Sequence, residues 1–73
     1  MTKLPVISGA KAARAFSRVG WVSARQTGSH FIMIKDGSVV TLSVPLHKEV
    51  DRGTLRKLIT LAGLTVDEFV DLI

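Results

Sequence analysis

Two histidines are among the few side chains of this 73-residue chain that could transfer a proton near neutral pH. His30 directly follows the pair Gly28-Ser29, and His47 follows the pair Pro45-Leu46. The imidazole of His30 could take the proton from an RNA 2′-hydroxyl, so that the oxygen attacks the adjacent phosphorus while basic side chains hold the phosphate. Simpler interpretations are open: His30 could end a hairpin and bond to a neighbouring serine, and His47 could only cap local carbonyls.

Other common kinds of active site are absent from the sequence. The chain has no cysteine, which excludes disulfides, thiolate metal sites and thiol nucleophiles. It has no Walker loop and no dinucleotide-binding fingerprint, and turns and helix caps already explain the positions of its six carboxylates. We therefore expect no metal and no cofactor.

Positive charge is concentrated in the first half of the chain. Residues 1–35 carry six basic side chains and no acidic one, whereas residues 63–73 carry three acidic side chains and no basic one. The six basic residues are Lys3, Lys11, Arg14, Arg18, Arg25 and Lys35. A net charge of +4 placed in this way indicates a surface for a polyanion such as nucleic acid, although a solvated basic face has the same composition.

Length and hydropathy indicate one small soluble domain over residues 1–73. Apolar residues make up 47% of the chain and charged residues 22%, which is too rich in core-forming side chains for disorder. No segment is long and apolar enough for a signal peptide or a bilayer span, so we expect a cytoplasmic protein without membrane contact. A core of this size contributes about 3–5 kcal/mol to the stability of the folded state, and binding to a permanent partner would add to that stability.

The first predicted element is a helix, capped by Ser8, with one apolar face and one basic face. Its apolar positions are Ala12, Phe16 and Val19. Its basic positions are Lys11, Arg14 and Arg18. The basic face could hold a nucleic-acid backbone or only contact solvent.

Asp36-Gly37 lies between two β-rich runs and predicts a type I′ hairpin. This register pairs Phe31 with Leu42 and Met33 with Val40, so that one face is apolar and buried. The side chains expected on the solvent face include His30, Thr41 and Ser43. Three apolar residues of this face, Ile32, Ile34 and Val39, form a patch that a monomer would rarely leave bare.

A second tight turn is predicted at Thr27-Gly28, with a longer loop over residues 26–29 as the alternative. The tight turn sets Arg25 opposite His30. It also adds Val22 and Ala24 to the apolar face. In this register Trp21 lies on the His30 face and could stack a base, although a lone tryptophan near a strand start more often packs in the core.

The rest of the chain predicts two more helices. Asp51 can cap the first, which Gly63 ends. The apolar side of that helix carries Leu55, Leu58, Ile59 and Ala62. Residues 65–68 form a capping box for a short last helix. The predicted order is helix, three-stranded antiparallel meander, helix and short C-terminal helix, an α+β fold with the helices on one face of the sheet.

Several segments of the chain, in this order, resemble the HicA-type mRNA interferase toxins of type II toxin–antitoxin pairs. The segments are Gly20-Trp21, Gly28-Ser29-His30, Val44-Pro45-Leu46-His47, Arg52-Gly53-Thr54-Leu55-Arg56-Lys57-Leu58-Ile59 and Ala62-Gly63-Leu64-Thr65. The resemblance implies a double-stranded-RNA-binding-domain-like fold, a metal-independent ribonuclease that acts on mRNA, and a HicB-type antitoxin that covers the active surface.

The resemblance also implies which residues form the catalytic site. It makes His30 the catalytic residue, with Gly28 and Ser29 supplying its turn, and leaves His47 as a possible second acid. We assign RNA contacts to Lys11, Arg14, Arg18, Arg25 and Ser29. This chain departs from the family in two places: Phe31 stands where many members have a second histidine, and Arg52 stands where a proline often opens the helix.

Two further functions are compatible with the sequence. A non-catalytic RNA-binding module would use the basic helix and would bind RNA in a salt-sensitive way without scission. A protein-interaction domain would use the apolar patch. Within a toxin–antitoxin pair the same patch would be the antitoxin contact, because one partner segment could cover it together with His30.

Overall fold

The computed structural model describes residues 3–73; residues 1 and 2 of the predicted domain lie outside the described residues. The helices and strands follow the predicted order, which confirms the α+β fold. The elements are α1 (Gly9–Ser17), β1 (Val22–Thr27), β2 (His30–Ile34), β3 (Leu42–Pro45), α2 (Arg52–Leu61) and α3 (Val66–Val70). The three strands form one antiparallel sheet in the order β1-β2-β3, so β1 and β3 are its edges.

Helix α1 begins and ends where its sequence predicts. The Ser8 hydroxyl accepts the backbone N–H of Lys11 at 3.1 Å, which satisfies one of the free donors of the first turn. Ala12 and Phe16 are buried, whereas Lys11 and Arg14 are exposed on the other side. Gly20 has a positive φ of 99°, the conformation that lets the chain leave the helix and enter β1.

Helices α2 and α3 are also capped as predicted. The Asp51 carboxylate accepts the Thr54 N–H at 3.2 Å, and Gly63, with φ of 80°, ends the helix. At α3 the Thr65 hydroxyl accepts the Glu68 N–H at 3.1 Å, and the Glu68 carboxylate accepts the Thr65 N–H at 2.8 Å. This is the capping box predicted from residues 65–68.

Helices α1 and α2 pack against one face of the sheet, and α3 packs against α2. Leu42 and Val44 of β3 are buried there, and Ser43 between them is exposed. In the core the rings of Phe16 and Phe69 lie 5.0 Å apart at an angle of 44°. Among residues 3–73 no helix has the length and apolarity that a bilayer crossing requires.

Trp21 is a core residue. It is only 1% exposed, so its expected place on the His30 face is wrong and it cannot stack a base. Its indole Nε1 is buried without a hydrogen-bond partner among the described residues. A buried N–H without an acceptor costs about 1–3 kcal/mol, so the packing of this ring outweighs a polar penalty.

The hairpin between β2 and β3 is two residues longer than predicted. Met33 pairs with Leu42 and Phe31 pairs with Val44, instead of Val40 and Leu42. The tight turn exists, since the Ser38 N–H reaches the Lys35 carbonyl at 3.1 Å. Only Gly37 has a positive φ there, so the type I′ turn, which needs positive φ at both central residues, does not form. Ser38, which exchanges hydrogen bonds with the backbone of Val40, begins an extra loop.

The β1–β2 turn also differs from the prediction. Thr27 pairs with His30, so the two-residue loop is Gly28-Ser29, with the positive φ of 55° at Gly28. Arg25 therefore lies opposite Ile32 and not opposite His30.

The face assignment of β1 is wrong as well. The register shifts between Ser23 and Arg25, which is the mark of a β-bulge, and β1 is an edge strand whose residues are all exposed. Val22 and Ala24 are consequently exposed rather than part of the apolar face.

Candidate active site

The face of the sheet opposite the helices, here called the outer face, carries His30. Along β2 the side chains of His30, Ile32 and Ile34 alternate with the core residues Phe31 and Met33. His30 lies between two edge strands, because its cross-strand partners are Thr27 on β1 and Pro45 on β3. Its side chain is partly exposed, as the sequence predicts for a group that meets a substrate.

The Ser29 hydroxyl lies next to the ring of His30 at the end of the hairpin. The Ser29 hydroxyl oxygen lies 3.4 Å from His30 Nδ1. The Ser29 carbonyl accepts the backbone N–H of Leu46 at 2.6 Å, which ties the β1–β2 turn to the chain leaving β3. Gly28 supplies the positive φ that this turn requires at its first central position.

His47 lies at the same end of the sheet as His30. It follows Pro45, the cross-strand partner of His30, by two residues. Its backbone carbonyl accepts the N–H of Gly9, the first residue of α1, at 2.9 Å, and its side chain is exposed. The fold therefore fixes the backbone of His47 and leaves the imidazole without a hydrogen-bond partner within residues 3–73.

The basic residues to which RNA contacts were assigned from the sequence fall into two groups. Arg25 is exposed on the outer face, diagonal to His30, at a separation of about 7–8 Å typical of such positions. The other three belong to α1, which covers the opposite face of the sheet, and to its C-cap: Lys11 and Arg14 are in the helix, and Arg18 directly follows it. Lys11 is in the first turn, at the end of α1 that touches His47.

Arg18 has a structural contact that the sequence did not predict. Its guanidinium donates to the backbone carbonyl of Leu72 at 2.8 Å, which joins the end of α1 to the C-terminal segment. One of its five N–H donors is thereby occupied, and the others stay available to solvent. Lys11, Arg14 and Arg18 line a shallow cavity with the C-terminal residues Leu72 and Ile73.

Two residues at the site were missed by sequence reasoning. Thr27 is the direct cross-strand neighbour of His30. It would have been identified from the sequence if the turn had been placed at Gly28-Ser29. Gly9 is the residue at which α1 contacts the end of β3. A glycine in the first turn of a predicted helix was the sequence signal that could have indicated this close contact. In the described part of the chain, no group of three or more His, Cys, Asp or Glu side chains could hold a metal ion.

An apolar patch adjoins the polar end of the outer face. Val22 and Ile34 are cross-strand partners and are 57% and 46% exposed. Ile32 lies between Ile34 and His30 on the same strand. Val39, predicted to extend this patch on β3, lies instead in the loop before β3 and is fully exposed.

Two comparisons with known proteins found a match. Residues 9–64 match the family model described as HicA toxin of bacterial toxin-antitoxin. Among solved structures, a chain of a toxin–antitoxin complex from Streptococcus pneumoniae is similar, with 29% sequence identity and a TM-score of 0.70. The alignment covers 80% of this chain and 98% of that one. No curated protein sequence matches the chain.

Proposed function

Because the chain belongs to the HicA toxin family, we propose that this toxin is an endoribonuclease that cleaves mRNA without a metal ion and is neutralised by a HicB-type antitoxin. The observation that carries the proposal is the partly exposed imidazole of His30 on a face of the sheet that no helix covers. An imidazole is suited to general base catalysis near neutral pH. An mRNA substrate implies that the toxin acts in the cytoplasm.

In the proposed reaction His30 takes the proton of a ribose 2′-hydroxyl. The 2′-oxygen forms a bond to the adjacent phosphorus while the bond from phosphorus to the 5′-oxygen breaks. The products are a 2′,3′-cyclic phosphate and a 5′-hydroxyl, and the leaving 5′-oxygen takes its proton from water or from His47. General base catalysis of this kind contributes about 10²–10⁴ in rate.

Basic and polar side chains would hold the RNA around His30. Arg25, diagonal to His30 on the outer face, is placed to bind the phosphate as negative charge develops on it. Ser29 lies in the turn at the same end of the sheet, supported by Gly28. The exposed basic residues of α1 and its C-cap would bind the RNA backbone farther from the scissile phosphate; they are Lys11, Arg14 and Arg18.

The antitoxin would bind the outer face. The similar chain from Streptococcus pneumoniae belongs to a toxin–antitoxin complex, which supports a protein partner here. Val22, Ile32 and Ile34 offer apolar contact area next to His30, and Arg25 offers a positive charge for an acidic partner residue. A single segment bound along β2 would shield both the patch and the imidazole.

The proposed activity is tested with purified toxin and RNA in the presence of a chelator. We expect wild-type protein to cleave and His30→Ala to lose at least about 10² in rate, with an unchanged circular dichroism spectrum and melting temperature, because the ring is only partly buried. His47→Ala serves as the parallel variant: a comparable loss makes His47 the acid, and an unchanged rate leaves water in that role. Undiminished cleavage by His30→Ala would reject the mechanism.

A non-catalytic RNA-binding module is the second candidate. The separation of the basic α1 face from His30 favours it, because RNA could bind α1 without reaching the imidazole. This function predicts salt-dependent RNA binding by both wild-type protein and His30→Ala, without strand scission by either.

A further inference from the structure

Backbone contacts to β1, β2 and the segment after β3 fix the position of Ser29. Thr27 and His30 pair across the turn that contains it, and the Ser29 carbonyl accepts the Leu46 N–H at 2.6 Å. The turn therefore cannot rotate without breaking a contact to the segment after β3. The Ser29 hydroxyl is consequently presented to the imidazole of His30 from a fixed backbone, at 3.4 Å from Nδ1.

The two nitrogens of the His30 ring have different surroundings. Nδ1 faces the Ser29 hydroxyl, which is the one hydrogen-bond partner of the ring among residues 3–73. Nε2 has no partner in that range and is the nitrogen left for a substrate. In a neutral imidazole one nitrogen carries the proton and the other carries the lone pair, and the hydrogen bond made by one nitrogen selects the role of the other.

We propose that Ser29 is a positioning residue that accepts the Nδ1–H of His30 and so keeps the lone pair on Nε2, the atom that takes the 2′-hydroxyl proton. This inference rests on the proposed ribonuclease function and replaces the RNA contact proposed above for Ser29 with a role on the ring. When Nε2 gains the proton, the ring becomes a cation and its Nδ1–H bond to the hydroxyl becomes charge-assisted and stronger. The contact thus stabilises the charged state that forms during the reaction.

The direct test is the tautomer of His30 in the RNA-free toxin. Nitrogen-15 NMR of labelled protein, above the pH at which the ring is cationic, distinguishes a protonated Nδ1 from a protonated Nε2. We expect Nδ1–H to dominate in wild-type protein and in Ser29→Thr, which keeps the hydroxyl, and to give way to a mixture in Ser29→Ala. Ser43→Ala is the matched control, because Ser43 is an exposed outer-face serine that pairs with Ile32 and makes no bond to the ring.

Kinetics separate positioning from RNA binding. We expect Ser29→Ala to lower kcat about fivefold with little change in KM, and Ser29→Thr to restore most of it, since one ordinary hydrogen bond is lost and regained. A raised KM with unchanged kcat would place the hydroxyl on the RNA and overturn the inference. An identical tautomer ratio in wild-type protein and Ser29→Ala would also overturn it.

The NMR readout needs no RNA, so it can fail independently of the proposed function. If His30→Ala cleaves RNA normally, the ribonuclease mechanism is rejected whatever the tautomer. If His30→Ala is inactive but Ser29→Ala leaves the tautomer unchanged, the mechanism stands and the role of Ser29 is rejected.

Discussion

Gly9 lies so close to Pro45 that a β-carbon at position 9 would overlap the Pro45 carbonyl oxygen. In the same contact the Gly9 N–H donates to the carbonyl of His47 at 2.9 Å. Because Pro45 is also the cross-strand partner of His30, this close approach fixes the start of α1 against the end of the sheet that carries both histidines. Only a residue without a side chain permits it.

Gly9→Ala is therefore expected to destabilise the toxin, although alanine is the better helix former. The new methyl group meets backbone atoms that cannot rotate away, so α1 must move from β3, at a cost of about 1–3 kcal/mol. For a domain of this size that corresponds to a fall in melting temperature of at least about 4 °C, measured by thermal denaturation.

Gly53→Ala is the matched control for this prediction. Gly53 also lies in the first turn of a helix, but a β-carbon there would meet only the Asp51 side-chain oxygen at 3.0 Å, which can shift slightly. We expect a melting temperature within about 3 °C of wild type. Equal effects of the two substitutions would show that the contact with Pro45 does not govern stability.

Trp21 provides a spectroscopic prediction because it is the one tryptophan of the chain. Its burial predicts fluorescence typical of an apolar environment, weak quenching by iodide, and no change when RNA binds. Quenching by RNA would show that a base stacks on the ring.

Substitution of Trp21 tests its role in packing. Trp21→Phe keeps an aromatic ring in the core and removes the unpaired N–H, so we expect a stability change within about 2 kcal/mol. Trp21→Ala is expected to cost about 3–5 kcal/mol, enough to unfold a domain of this size in chemical denaturation. A small effect of Trp21→Ala would contradict its place in the core.

The sequence predicted which side of β2 faces the core, although it gave the wrong register. A shift of two residues moves the partner of Met33 from Val40 to Leu42 but leaves every side chain of β2 and β3 on its predicted face, because strand side chains alternate with a period of two. The helix caps were also predictable, since a serine, an aspartate and a capping box act locally. His30 could therefore be placed on the outer face from the sequence alone.

Turn geometry and close backbone approaches could not be predicted in the same way. Asp36-Gly37 favours a type I′ turn, yet Asp36 keeps a negative φ and the chain loops out through Val40. The bulge near Ala24 exposes β1, and no local signal marked it. The fit of Gly9 against Pro45 depends on segments that are far apart in sequence. Such features arise from tertiary packing, which a linear pattern does not contain.

Arg25 and Arg14 should have different effects on catalysis. Arg25 is diagonal to His30, so Arg25→Gln is expected to lower kcat about tenfold through loss of charge stabilisation at the phosphate. Arg14 lies on α1, away from the imidazole, so Arg14→Gln should raise KM and leave kcat nearly unchanged. Each substitution should also reduce the slope of log affinity against log salt concentration by about 0.7, the value for one lost contact to single-stranded nucleic acid.

Steady-state cleavage at several salt concentrations measures these effects. A comparable loss in kcat for both variants would mean that Arg14 also acts on the scissile phosphate, and an unchanged kcat in Arg25→Gln would mean that Arg25 does not contact it. A loss in kcat for Arg14→Gln alone would move the active site to the α1 face.

Ile34 and Leu61 form a matched pair for locating the antitoxin. Both are half-exposed, at 46% and 42%, but Ile34 lies on the outer face and Leu61 lies on α2. Substitution by asparagine removes apolar area without changing charge, so RNA binding is not altered electrostatically. Ile34 is four residues along β2 from His30, about 13 Å, which is too far for its side chain to disturb the imidazole.

If the antitoxin covers the outer face, Ile34→Asn should weaken the complex at least tenfold, because a buried apolar contact is lost and an amide is left without partners. Leu61→Asn should bind the antitoxin as wild-type toxin does. Calorimetric titration measures both affinities, and RNA cleavage by each free variant shows that the toxin itself is intact. Equal weakening by the two variants, or weakening by Leu61→Asn alone, would place the antitoxin on the helical side, and inhibition would then have to act without covering His30.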